Sequence, residues 1–314
     1  MKKVAALAAA VLITITLGVF VFQTKLEQTS HFAMGSILEQ SHWKWLGDLG
    51  AINNWSKARA EEIYTAVAAL ENELNTLTEA PALALEIAEA SGGAFSPYLG
   101  AVTALWNIDS KDGTPPCVPS QEELDVALLK KELDLGAYGK GAACDEALRI
   151  LLPASSAVVI NLGGNIFTYG GKPLGQPFQI ALRDPKGGMN DTLGMFTLKG
   201  IHFISTSGSY EKQFERDGKR YHHIFDPKTG YPAEMEGLIS VTVVTGYNIA
   251  RNGGALGDML STACFVLGYD GSRELLQQYN ADAIFIYESG EVRAAGNVRD
   301  YFRLKNLNYH WSDE

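Results

Sequence analysis

The sequence predicts an α+β fold, and three observations carry that reading. Residues 157–162 and 283–287 are short, nearly continuous apolar runs, as buried strands require, and 178–182 and 237–244 are β-branched or alternating. Helical stretches over 139–152, 257–267 and 272–279 are interspersed with these strands without the regular beat of a doubly wound sheet. The 314 residues are 46% hydrophobic and 20% charged, enough apolar material for a sizeable core in one large domain or two small ones.

Taken in order, the chain opens with Lys2 and Lys3 before an unbroken apolar run over residues 4–22, followed by Lys25 and Glu27. That run approaches bilayer-spanning length and lacks a small-residue cleavage pattern. It predicts an N-terminal signal or membrane anchor over residues 1–27, lysines inside, with the body (28–308) outside the cytoplasm. Cleavage to a secreted or periplasmic protein is the alternative. Residues 23–55 read as a tether containing one strand at 31–38. A helix follows over 56–77, where Ile63, Val67, Leu70, Leu74 and Leu77 form one apolar stripe. A second helix runs from Pro81 to Ala90. The turn-rich segment 91–100 and the irregular connection 111–119 come next. Net charge is −10, which argues against nonspecific nucleic-acid binding. The three cysteines, Cys117, Cys144 and Cys264, are odd in number and widely spaced, so no disulfide framework or zinc site is expected.

Polar residues concentrate in a few windows. Residues 206–232 combine a Thr-Ser-Gly turn, a DGKR hairpin signal, the pair His222-His223 and a DPKTGYP turn. His223 is a candidate general base. Asp258, Ser261 and Thr262 share one helix face. They suit a hard cation such as Mg2+, or Asp258 simply caps the helix. Gly136, Gly139 and Gly141 surround Lys140 before an apolar helix, either a phosphate cradle or a tight turn. Gly163-Gly164 ends a buried strand, as a turn or a ligand approach.

The order of these motifs is more specific than any one of them. MGS at 34–36, GGAFSPYLG at 92–100, DLGAYGKGAACD at 134–145, INLGGNI at 160–166, TSGSYEK at 206–212, KRYHHIFDPKTGYP at 219–232 and DMLSTACFVLG at 258–268 together resemble the ApbE family. The resemblance implies a T-fold-related architecture of mixed, largely antiparallel sheets with packed helices. It implies an exported, Mg2+-dependent FAD:protein FMN transferase, moving FMN from FAD to a threonine hydroxyl and releasing AMP. The acceptor it implies is a flavoprotein, a membrane redox-complex subunit in the family pattern. By the same analogy Asp258, Thr262 and the Gly139 carbonyl hold the cation, Lys140 sits near the phosphates, and His223 deprotonates the acceptor. Met34, Gly163, Gly164, Asp184, Thr206, Ser207 and Gly208 would line the FAD pocket. Ser96 stands where the family usually has an acid, Ser36 where it has Thr, and the chain is shortened between Glu79 and Pro81. FAD hydrolysis to FMN and AMP, or passive FAD binding, are the competing functions.

Overall fold

The structure is a computed structural model describing residues 24–45, 55–110, 113–152, 157–246 and 252–312. The apolar run over 4–22 lies outside the described residues. Among those described, no helix is long and apolar enough to cross a membrane.

Instead of a single strand at 31–38, the chain forms a hairpin of β1 (Thr24–Ala33) and β2 (Ser36–Trp45). The reversal falls on Met34 (φ 50°) and Gly35 (φ 69°), two left-handed residues whose twist suits a two-residue hairpin turn. Met-Gly lacks the Asn-Gly signature of such turns, which is why the pattern read as continuous. Strand β1 therefore starts inside the segment assigned to the anchor. Helices α1 (Trp55–Leu74), α2 (Ala82–Ala90), α3 (Gly100–Trp106), α4 (Gln121–Leu129) and α5 (Gly139–Leu151) follow. Ser120 and Glu123 form a reciprocal capping box at the start of α4.

The remaining strands are β3 (Ala157–Leu162), β4 (Asn165–Tyr169), β5 (Phe178–Arg183), β6 (Thr192–Leu198), β7 (His202–Gly208), β8 (Gln213–Arg216), β9 (Lys219–His222) and β10 (Leu238–Gly246). Helix α6 (Gly253–Gln278), β11 (Asp282–Tyr287), β12 (Glu291–Ala295), α7 (Val298–Tyr301), β13 (Phe302–Leu304) and β14 (His310–Trp311) complete the chain. The two helices expected at 257–267 and 272–279 are the two parts of α6, separated by a kink at the non-helical Gly268 (φ 70°), whose carbonyl accepts from the Ser272 hydroxyl. Strand β14 pairs with β12, so the fold continues past residue 308.

Among the described residues the main sheet has nine strands, ordered β1-β2-β3-β4-β7-β10-β11-β12-β14, antiparallel except for the β12–β14 pair. Its central strands are buried on both faces. Val241, Val243, Ala283 and Phe285 pack under α2 and α6, while Val244, Ile284 and Ile286 pack against the small sheet β13-β6-β5. That two-sided burial explains the unbroken apolar runs in the sequence. On the helix side, α1 and α5 close a further cluster over β2, β3, β4 and Phe203 of β7. Cys144 and Cys264 are buried and free, and Cys117 is exposed and free.

Candidate functional site

Helix α6 carries the acidic end of the site. It begins at Gly253, so Asp258 lies one turn inside the helix rather than at its cap. The cap comes from elsewhere: Asp145, buried on α5, accepts from the Gly254 and Ala255 amides at 2.8 Å each. Burial pushes its carboxyl up to about 6, against the pull of those two amides. Helices α5 and α6 cross at Gly141 and Gly254, where a Cβ on either residue would collide with the other's carbonyl. This close crossing lets the Gly141 amide donate to Asp258 Oδ2 at 3.0 Å. Asn165 Nδ2 donates to Asp258 Oδ1 at 3.1 Å. The carboxylate is 4% exposed and held on both oxygens.

Hydroxyls gather one turn further along α6. Ser207 Oγ on β7 lies 2.8 Å from Ser261 Oγ and 3.2 Å from Thr262 Oγ1. Both helix hydroxyls also donate to the Asp258 carbonyl. Among the described residues no three His, Cys, Asp or Glu side chains form a metal cluster. The donor set is one carboxylate with hydroxyl oxygens, which suits a hard cation that takes one or two protein carboxylates and completes its shell from phosphates and water.

Three turns converge on the start of α5. Lys140 Nζ donates to the Gly136 carbonyl at 3.2 Å, and a Cβ at Gly163 would lie 3.4 Å from Lys140 Cδ. The same Cβ would crowd Ser36, so the left-handed Gly163 (φ 54°) is required by conformation and by space. Met34 faces Gly139, and its amide donates to Glu71 Oε2 at 2.9 Å. Asp134 ties the preceding loop by accepting from the Gly136 amide and the Thr103 hydroxyl.

The histidine segment is fixed by hairpin and aromatic packing. Asp217 (φ 53°) and Gly218 (φ 77°) turn β8 into β9, as the DGKR signal predicts. His222 Nε2 faces the Ala233 carbonyl at 3.0 Å while its Nδ1 accepts from the Ile224 amide, which fixes a neutral ring with the proton on Nε2. That ring sits edge-on to Phe265 of α6, one turn beyond Thr262. His223 Nδ1 faces the Lys212 carbonyl at 3.3 Å, so its proton belongs on Nδ1 and Nε2 keeps a free lone pair. Burial, then the charges of Lys212 and His222, push His223 down to about 4, so the ring is neutral at pH 7. Trp106, fully buried, donates to the Gly230 carbonyl and packs among Phe214, Tyr221, Phe225 and Tyr231, anchoring the DPKTGYP turn.

Of the residues singled out in the sequence, Met34, Gly139, Lys140, Gly163, Ser207, Asp258 and Thr262 form one neighbourhood on the helix side of the sheet. Gly164 follows Gly163 in the turn between β3 and β4. Thr206 belongs to the other face, since side chains alternate along β7 and Ile204 packs against the small sheet. Its hydroxyl pairs with Thr242 at 2.9 Å. Gly208 makes room for the Tyr210 ring. Asp184 is spent on the C-terminal segment, accepting from Tyr309 Oη, Asn306 Nδ2 and the Lys186 amide. Two residues escaped the sequence reading. Both lie inside motifs that carry the resemblance, Asp145 at the end of DLGAYGKGAACD and Asn165 in INLGGNI, but neither was assigned a role, because their partners on α6 are 93 to 110 positions away in the chain.

Residues 39–285 match the model of the ApbE family. The chain belongs to the ApbE family. Among curated relatives, the FAD:protein FMN transferase of Treponema pallidum is 34% identical over 259 residues, covering 72% of this chain and 69% of that protein. One of Klebsiella pneumoniae is 38% identical over 184 residues, covering 58% of this chain and 54% of its own length. The crystal structure of the ApbE protein of Thermotoga maritima superposes with a TM-score of 0.75 at 25% identity, over 89% of this chain and all of that one. The apo flavinyl transferase ApbE of Pseudomonas stutzeri gives 0.64 at 25% identity, over 86% and 93%. The ApbE fold thus agrees with the α+β, largely antiparallel architecture described above.

Proposed function

We propose that this ApbE-family chain is an FAD:protein FMN transferase that uses Mg2+ and a threonine acceptor. Its relatives are transferases, and by membership so is this chain. The observation that carries the finer reading is Asp258, a buried carboxylate held on both oxygens, sharing one helix face with Ser261 and Thr262, whose hydroxyls meet Ser207. These oxygens fit Mg2+, which Asp258, Thr262 and the Gly139 carbonyl would hold. When bound, the cation supplies neutralisation of the pyrophosphate charge.

The chain's own residues supply the rest. His223 Nε2, with its free lone pair, takes the proton of the acceptor threonine. The threonine oxygen then bonds to the FMN phosphorus, and the P–O bond to AMP breaks with AMP as leaving group. Lys140 stands at the glycine turns, where it would pair with phosphate oxygens. The low affinity of the His223 ring for protons keeps it in the base form at pH 7, at the expense of base strength.

The N-terminal run over 4–22 supports anchoring in the cell membrane with the catalytic body outside the cytoplasm, beside a membrane redox-complex acceptor. The deciding experiment is co-expression with a candidate acceptor, followed by in-gel detection of covalent flavin fluorescence. Labelling of the acceptor, dependent on Mg2+, is the expected result. Rapid AMP release from FAD without any acceptor and no labelling would mark a hydrolase and overturn the proposal.

A further inference from the structure

We propose that Asn165 is a positioning residue for Asp258, holding its carboxylate in the orientation that receives a divalent cation. The inference rests on the reading of Asp258 and Thr262 as the cation's protein donors. Asn165 is 2% exposed at the first position of β4, immediately after the Gly163-Gly164 turn. In register it faces Ser205 of β7. The left-handed backbone of Gly163 and Gly164 (φ 54° and 90°) reverses the chain sharply enough to seat this side chain against α6.

The hydrogen bonds define its task. Gly141 fixes one oxygen of Asp258 and Asn165 the other, so the carboxylate can neither rotate about its last bond nor swing to another rotamer. A neutral amide suits this position better than a cationic side chain. Lys or Arg would orient the carboxylate equally well but would cancel the charge that attracts the cation. The amide orientation is also determined: reversing it would set two acceptor oxygens against each other.

A second observation points outward from the protein. Asn165 Oδ1 is buried without a hydrogen-bond partner among the described residues. A buried acceptor lacking a donor is costly, and in native sites such an orphan signals a partner that the chain does not supply. Water entering with the cation meets that need. Ligand-orienting partners of this kind tune metal affinity strongly, and their loss lowers it about 10- to 100-fold.

The test uses the full chain in detergent, with Mn2+ as a paramagnetic stand-in for Mg2+. Free Mn2+ is measured by electron paramagnetic resonance for the parent, Asn165→Ala, Asn165→Ser and Asp258→Ala, with thermal melts in chelator to confirm folding. The expected result is Mn2+ binding weakened about 10-fold or more in both Asn165 variants, with the bound ion displaced by Mg2+. In steady state the Mg2+ concentration for half-maximal activity rises, while kcat at saturating Mg2+ recovers. The serine variant retains a small polar side chain and carries the test if the alanine variant does not fold. Parent-like Mn2+ affinity in a folded Asn165 variant, with Asp258→Ala impaired, overturns this inference alone. Parent-like affinity in Asp258→Ala overturns the cation reading and this inference with it.

Discussion

At the scale of single residues, two adjacent histidines with one sequence signature have opposite duties. His222 uses both ring nitrogens to bond the backbone and its edge to meet Phe265. His223 spends only Nδ1, leaving Nε2 for the proton transfer proposed above. His223→Ala should therefore lose flavin transfer by about 100-fold or more while retaining FAD, read by in-gel flavin fluorescence and by ligand fluorescence quenching. Asp258→Ala should lose the Mg2+-dependent activity at unchanged fold. A pH effect follows from the same ring. The unfolded chain takes up the His223 proton near pH 6.5, the folded protein only near pH 4. Its contribution to stability is thus complete above pH 6.5 and is lost as pH falls through that window. Urea unfolding at pH 7 and pH 5 should show a smaller loss for His223→Gln than for the parent. The identity of His223 was legible in the sequence, but its tautomer was not, because the Lys212 carbonyl that sets it arrives from the other strand of the hairpin.

At the scale of elements, the site depends on how closely α5 and α6 approach. Gly141 and Gly254 allow contact of the two backbones, and Asp145 caps α6 from its neighbour. Gly141→Ala should push the helices apart, costing about 1–3 kcal/mol in thermal unfolding and weakening the Gly141–Asp258 hydrogen bond. Trp106→Ala should cost about 3–5 kcal/mol and loosen the DPKTGYP turn that supports the histidine segment. The apolar stripe of α1 was legible from local pattern, whereas the short helices α3 and α4 were not predicted, although Ser120 and Glu123 carry the spacing of a capping box. The Met34-Gly35 turn was hidden, because its left-handed residues are demanded by strand twist and supported by Glu71, a contact 37 positions away. From spacing alone Asp258 read first as a helix cap, because nothing local shows that α6 begins at Gly253 under a cap supplied by Asp145.

At the scale of the whole molecule, the class of fold was legible and the strand order was not. Apolar runs identify β3 and β11 as interior strands, but only the three-dimensional pairing places β7 between β4 and β10. Membrane fractionation addresses the N-terminal run. The full chain should sediment with membranes, and a chain starting at Thr24 should remain in the supernatant with its transferase activity. The span of the Asp258 contacts has one more consequence. Its two hydrogen-bond donors lie 117 and 93 residues earlier in the chain. Closing loops of that length is entropically slow, and it becomes possible only once α6 has been synthesised and has docked. A chain truncated before α6 keeps the glycine turns and the histidines but lacks Asp258 and Thr262, so on the proposed cation reading it should release no AMP from FAD.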